Sequence, residues 1–199
     1  MLLFAVEAIR LASGIGPIII VVGRQHLARA RRLIRGLDLK DGCKVVPGGR
    51  RRQDSVYRGL QAFDYPPEVV LVHDAARPLV TTHMINTILR RGLRHKAAIA
   101  ALPVTDTLKR EKKSGFVGST ISRSGLWAAQ TPQVFNYDLL VLAHEKARKA
   151  GLVATDDAAL IERLGINVRI LAGSPRNLKV TTRSDLKLAE LYLKTRELD

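Results

Sequence analysis

Cysteine is almost missing from this chain, with Cys43 the only one. A lone thiol excludes an internal disulfide framework and a cysteine-rich zinc site, and it suits a reducing compartment. Aromatic residues are scarce at 5%, with Trp127 the only tryptophan, whereas binders of single-stranded nucleic acid need aromatic platforms. No apolar run approaches the ~18 residues of a membrane span. Met1-Leu2-Leu3-Phe4-Ala5-Val6 meets Glu7 with no basic stretch before it, so it does not read as a secretory signal. Walker loops, nucleophile elbows and Cys/His metal spacings are absent as well. The five histidines, His26, His73, His83, His95 and His144, are scattered and none is assigned a catalytic role. The expectation is a soluble, cytoplasmic protein with no membrane partner.

Acidic residues are also few: 18 Asp and Glu stand against 33 Lys and Arg, a net charge of +15. Such a field attracts phosphates and nucleotides. The basic residues cluster at Arg29-Arg31-Arg32-Arg35, Arg50-Arg51-Arg52, Arg90-Arg91-Arg94 and Lys109-Arg110-Lys112-Lys113. They form no single stripe interleaved with aromatics, which argues against nucleic acid as the partner and for solvated faces with a few phosphate-binding positions.

The 199 residues, 46% of them hydrophobic, suit one domain with a sizeable core. Apolar periodicity predicts helices over residues 2–13, 25–36, 82–95, 136–150 and 156–164, one through Val56, Leu60 and Phe63, and one at the C-terminus. Strands are expected at Ile18–Val22, Lys44–Val46, Val69–Val72, Ala97–Val104, Val168–Leu171 and Lys179–Thr182. Continuous rather than alternating apolar strands, separated by helices, imply an α/β fold: a mainly parallel sheet covered on both faces. The rhythm breaks between 105 and 135, where Gly115, Gly118 and Gly125 suggest hairpins or an arm. One domain over 1–199 with that excursion is the expected organisation.

In open α/β sheets, ligands sit beyond the carboxyl ends of strands. Leu71-Val72-His73-Asp74-Ala75-Ala76-Arg77-Pro78 places Asp74 and Arg77 there, where a carboxylate suits Mg²⁺ on a triphosphate and Arg77 a second anion. An Asp74–Arg77 ion pair fastening the turn is the alternative. In Gly48-Gly49-Arg50-Arg51-Arg52-Gln53-Asp54-Ser55 the glycines admit a close ligand and Ser55 offers a donor; a loop capped by Asp54 or Ser55 is the alternative. In Ala154-Thr155-Asp156-Asp157-Ala158, Thr155 reads as a helix N-cap whose hydroxyl is also free to touch a ligand. Gln130-Thr131-Pro132-Gln133 offers amides around a turn, or a satisfied loop. Lys179, in Asn177-Leu178-Lys179-Val180-Thr181, either faces an anion or lies on an exposed strand face.

In order along the chain, GGRRRQDSVYRGL (48–60), VHDAARP (72–78), DTLKR (106–110), SRSGLWAAQTPQVF (122–135), ATDDAALIERLG (154–165) and NLKVTT (177–182) resemble one family. It is the 2-C-methyl-D-erythritol 4-phosphate cytidylyltransferases of the non-mevalonate isoprenoid pathway. The resemblance implies a Rossmann-like nucleotidyltransferase fold and a homodimer whose arms, within 105–135, complete each other's sites. It implies transfer of CMP from CTP to a sugar-alcohol phosphate, with Mg²⁺ and release of pyrophosphate. By motif, Gly49, Arg52, Ser55, Asp74 and Ala75 correspond to nucleotide contacts. Arg77, Thr107, Arg123, Thr131, Thr155 and Lys179 correspond to the acceptor cradle. Asp74 and Lys179 correspond to catalytic groups, with Asp74 also the metal position. The family opens with a strand and a Gly-rich loop that wraps the triphosphate, whereas this sequence starts at what resembles the following helix. The expectation is a domain N-terminally truncated relative to the family, with a sheet edge or gap beside Ile18–Val22. Ribitol-5-phosphate cytidylyltransferase shares the Asp-Ala-x-Arg-Pro and Gln-Thr-Pro-Gln features and is the nearest enzyme alternative. A non-catalytic anion- or nucleic-acid-binding homologue, or a silent partner for a full-length copy, are the others.

Overall fold

The structure, a computed structural model, describes residues 1–37 and 42–196; residues 197–199 of the expected domain lie outside them. Its elements follow the predicted alternation: α1 (Leu2–Arg10), β1 (Ile18–Val22), α2 (Leu27–Ile34), β2 (Cys43–Pro47), α3 (Arg52–Leu60), β3 (Val69–Val72), α4 (Thr82–His95) and β4 (Ala97–Pro103). A hairpin of β5 (Leu108–Glu111) and β6 (Val117–Ile121) comes next. It is followed by β7 (Trp127–Asn136), α5 (Tyr137–Lys149), α6 (Asp157–Glu162), β8 (Arg169–Ala172) and α7 (Arg183–Arg196).

Local chemistry sets the helix starts. Thr81 accepts a hydrogen bond from the Met84 amide at 3.1 Å, and Asn136 one from Leu139 at 3.1 Å, satisfying donors that α4 and α5 leave open. Helix α6 begins one residue later than expected. Asp156 rather than Thr155 is its N-cap, with Oδ1 accepting from the Ala159 amide at 3.0 Å. A carboxylate has an oxygen to spare for this: Oδ2 of Asp156 also accepts from Gln133 Nε2 at 2.9 Å.

Four strands form one sheet in the order β3-β7-β4-β8. Strands β3, β4 and β8 run one way and β7 runs against its two neighbours. The stretch 105–135 is therefore only partly an excursion. The β5–β6 hairpin leaves the sheet, but β7 returns between β3 and β4 and buries Val134 and Phe135 completely. Successive residues point to opposite faces, and the cores divide accordingly. Ala97, Ile99, Val70 and Phe135 pack with Leu140, Ala143, Leu160 and Ile161 of α5 and α6, together with Leu60 of α3. Ala98, Ala100 and Val134 pack with Met84, Ile85, Ile88 and Leu89 of α4 and with Ala8 of α1. The small residues of β4 let helices approach from both sides.

Strands β1 and β2 form a separate parallel pair, with Ile20 opposite Val45. The expected edge beside Ile18–Val22 is present among the described residues: β1 pairs with β2 alone, and β3 with β7 alone. Helices join the two sheets. Val6 of α1 packs with Ile20 and Val45, while Ala8 and Ala12 join the α4 core. On α3, Gly59 lies against Val21 of β1 while Leu60 enters the larger core.

The strand expected at Lys179–Thr182 does not form. Its backbone makes one sheet-like bond, from the Val180 amide to the Ala76 carbonyl at 2.8 Å. Thr181 and Thr182 instead build the start of α7: Asp185 Oδ2 accepts from both amides and from the Thr181 hydroxyl. Those bonds hold the Asp185 carboxyl down at about 2. Local capping outcompetes extension of the ladder beyond that one bond.

Candidate active site

The end of β3 delivers His73 and Asp74 into a tight turn, closed by the Arg77 amide on the Asp74 carbonyl at 2.9 Å. Beneath it, Thr131 Oγ1 accepts from the Asp74 amide at 2.9 Å and meets His73 Nδ1 at 3.1 Å. With its lone pair facing the amide, the Thr131 hydroxyl donates to Nδ1. The imidazole proton then sits on Nε2, which donates to the Arg77 carbonyl at 3.0 Å. Burial of the ring lowers the His73 pKa to about 4, so it stays neutral and holds the turn.

The loop after β2 supplies the second part. A Cβ on Gly48 would lie 2.8 Å from Ser55 Oγ, and one on Gly49 2.3 Å from Asp54 Cβ. The glycine pair lets the loop fold back onto the first turn of α3. Ser55 Oγ accepts from the Gly49 amide at 3.0 Å and donates to the Arg51 carbonyl at 3.1 Å. Asp54 accepts from the Arg51 amide at 3.1 Å, so the capping alternative is realised. Arg52, the first residue of α3, is thereby aimed away from the loop and toward β3.

The third part is the segment after β8. Asn177 is buried and donates to Gln130 Oε1 at 3.2 Å and to the Thr131 carbonyl at 2.8 Å, while Gln130 Nε2 bonds the Ser174 carbonyl at 3.1 Å. Arg77 Nη1 reaches the Asn177 carbonyl at 2.7 Å. Pinned in this way, the segment presents Lys179 to the turn.

The three parts converge on Asp74. Arg52 Nε donates to Oδ1 at 3.0 Å and Lys179 Nζ to Oδ2 at 2.9 Å. No Asp74–Arg77 ion pair forms among the described residues. Burial pushes the Asp74 carboxyl up, but the Lys179 hydrogen bond and the Arg52 charge outweigh it and hold it below the usual range. Burial likewise works against the Arg52 guanidinium, and Asp157 and Asp74 reverse that, leaving it raised. Arg77 is lowered by burial, only partly offset by Asp74, and its Nε is buried with no partner among the described residues. Three cations thus gather about one mostly buried carboxylate, an arrangement suited to a polyanion rather than to proton transfer.

The structure brings Arg52, Asp74, Arg77, Thr131 and Lys179 together, with Gly49 on the adjoining loop, Ser55 in the first turn of α3 and Ala75 exposed in the turn. Thr131 is buried, its hydroxyl engaged from beneath. Thr107, Arg123 and Thr155 are exposed, and among the described residues no hydrogen bond or ion pair links them to this cluster; the Arg123 guanidinium bonds the Thr105 carbonyl at the root of the hairpin. Sequence reasoning missed Asp157, which accepts from Arg52 Nη1 at 2.7 Å, and His144 behind it. A signal existed: His144 falls in the apolar stripe Leu140, Ala143, His144, Ala147, where a polar ring needs a buried partner.

Among the described residues, no group of three or more His, Cys, Asp or Glu could hold a metal ion, and no helix is long and apolar enough to cross a membrane. Both Asp74 oxygens already accept from cations. The carboxylate therefore fits Mg²⁺ only as one ligand of an ion whose remaining ligands are phosphate oxygens and water.

A model of the family described as IspD: 2-C-methyl-D-erythritol 4-phosphate cytidylyltransferase matches residues 1–195. The 2-C-methyl-D-erythritol 4-phosphate cytidylyltransferase of Pelotomaculum thermopropionicum is 42% identical over 193 residues, covering 96% of this chain and 81% of that protein. The crystal structure of the same-named protein from Thermus thermophilus superposes with a TM-score of 0.80 at 34% identity, covering 98% of this chain and 89% of that one. A 4-diphosphocytidyl-2C-methyl-D-erythritol synthase from Anaerococcus prevotii gives a TM-score of 0.87 at 28% identity, covering 97% and 85%. With its α/β fold, its strand-end cluster of cations around Asp74 and these matches along its length, the chain belongs to the 2-C-methyl-D-erythritol 4-phosphate cytidylyltransferase family.

Proposed function

We propose that this chain transfers the cytidylyl group of CTP to the phosphate of 2-C-methyl-D-erythritol 4-phosphate and releases pyrophosphate. The observation that carries the reading is the convergence of Arg52 and Lys179 on Asp74, beside Arg77, in a chain of this family. An acceptor phosphate oxygen attacks the α-phosphorus of CTP. A new P–O bond forms, the bond from the α-phosphorus to the bridging oxygen breaks, and its electron pair leaves with pyrophosphate. No side chain has to give or take a proton, so catalysis rests on positioning and on charge. Lys179 turns from Asp74 to the phosphoryl oxygens, and Arg77, whose Nε has no partner among the described residues, takes the acceptor phosphate. Gly49, Ser55 and Ala75 line the nucleoside side with Arg52. Thr131 holds the floor, and Thr155 adds a hydroxyl at the rim. Asp74 would hold Mg²⁺ together with the triphosphate, and the ion would supply charge neutralisation for the leaving group.

Thr107 and Arg123 stand at the root of the β5–β6 hairpin, away from the cluster. Their place in the acceptor cradle follows from a homodimer in which each hairpin serves its partner's site. One domain over 1–199 and a cytoplasmic location complete the proposal. Acceptor identity is tested by pyrophosphate release with methylerythritol phosphate and ribitol 5-phosphate in parallel. Higher kcat/KM with the former is expected, and preference for ribitol phosphate would overturn the assignment.

A further inference from the structure

We propose that Asp157, backed by His144, is a positioning residue for Arg52, dividing its guanidinium between two carboxylates so that Asp74 stays available to Lys179. This rests on the reading of Arg52 as a nucleotide contact. Asp157 is 1% exposed at the start of α6, and His144 is fully buried on α5. Asp157 Oδ2 accepts from Arg52 Nη1 at 2.7 Å and Oδ1 from His144 Nε2 at 3.0 Å. A carboxylate facing a guanidinium only accepts, so His144 carries its proton on Nε2. The ring is itself held: it stacks on Tyr57 of α3, with centroids 6.0 Å apart and planes at 26°, and Arg148 covers the Tyr57 ring at 4.4 Å. Three helices thus fix one carboxylate.

Geometry explains why this matters. An arginine beside a single carboxylate tends to pair through two parallel bonds, occupying both oxygens. Here Nε goes to Asp74 and Nη1 to Asp157, so Asp74 Oδ2 is left for Lys179. Nη2 makes no hydrogen bond among the described residues and is the nitrogen left for a ligand. A buried carboxylate needs a charged partner to be tolerated, so the Asp157–Arg52 bond is strongly held while Arg52 remains one-third exposed toward the site.

The test compares wild type, Asp157→Asn, Arg52→Ala and the double variant, each checked for cooperative unfolding. Asp157→Asn is expected to lower kcat/KM for CTP about 10- to 100-fold, and the double variant to fall no further than Arg52→Ala alone. Multiplying effects, or an unchanged Asp157→Asn, would overturn the proposal. Should Asp157→Asn not fold, His144→Leu removes only the supporting donor. It is expected to lower kcat/KM in the same sense, with His144→Gln, which keeps an N–H, restoring it; equal values for the two would overturn the proposal. Absence of turnover in the wild type contradicts the functional reading alone. The Arg52 guanidinium N–H signals in a ¹⁵N spectrum then decide: restricted rotation in the wild type that is lost in Asp157→Asn, or in His144→Leu where Asp157→Asn does not fold, supports positioning, and identical signals refute it.

Discussion

His73 shows how one neutral side chain sets the geometry of a charged site. Its ring accepts from Thr131 and donates to the Arg77 carbonyl, and Thr131 in turn holds the Asp74 amide. Protonation would charge a buried ring, put a second donor against the Thr131 hydroxyl and meet the Arg77 charge, and the bond to the Arg77 carbonyl and the Asp74 charge only partly offset this. The folded pKa of about 4 lies below the ordinary value of 6.5. Between those values the unfolded chain binds more protons, so stability is complete above 6.5 and is lost as pH falls toward 4. The loss is at most about 3 kcal/mol. Denaturant unfolding across this window should show the slope, and His73→Gln should flatten it; an unchanged slope would contradict the assignment. At this scale the sequence exposed Asp74, Arg77, Arg52 and Lys179, because strand-end and loop positions flag polar residues. It hid Asp157 and His144, whose meaning lies in a contact spanning 105 residues from Arg52 to Asp157.

Among the elements, α4 carries the clearest conflict between local propensity and packing. Gly92 interrupts the helix, and alanine there would gain about 1 kcal/mol from propensity. A Cβ, however, would lie 2.2 Å from Val134 Cγ1 and 2.7 Å from its Cβ, and Val134 is fully buried in β7. Overpacking costs about 1–3 kcal/mol, so Gly92→Ala should lower stability by up to about 2 kcal/mol net, read as a reduced urea midpoint. A raised midpoint would show that α4 can shift off the sheet. The alternation of apolar runs made most elements readable. The order of strands was not, because Trp127–Asn136 reads as a continuation of the excursion until Val134 and Phe135 find their places between β3 and β4. The expected strand at Lys179–Thr182 failed for a related reason: ladder partners are nonlocal, while the Asp185 cap that replaces it is local.

Across the molecule, the +15 charge divides into two kinds. Arg29, Arg31 and Arg32 on α2, Arg90, Arg91 and Arg94 on α4, and the lysines of the hairpin are exposed, as the scattered clusters predicted. Arg52, Arg77 and Lys179 are drawn from three distant segments to the end of β3, where they face one carboxylate and supply the local field for a polyanion. Folding, rather than composition, makes that distinction, and it is this cluster that is proposed to move the cytidylyl group. The direct measurement is pyrophosphate release by the folded chain given CTP, Mg²⁺ and 2-C-methyl-D-erythritol 4-phosphate, beside Lys179→Ala. Release that requires both substrates and falls about 10²–10³-fold in the variant is expected. A folded wild-type chain that releases none, or a variant that matches it, would contradict the proposal.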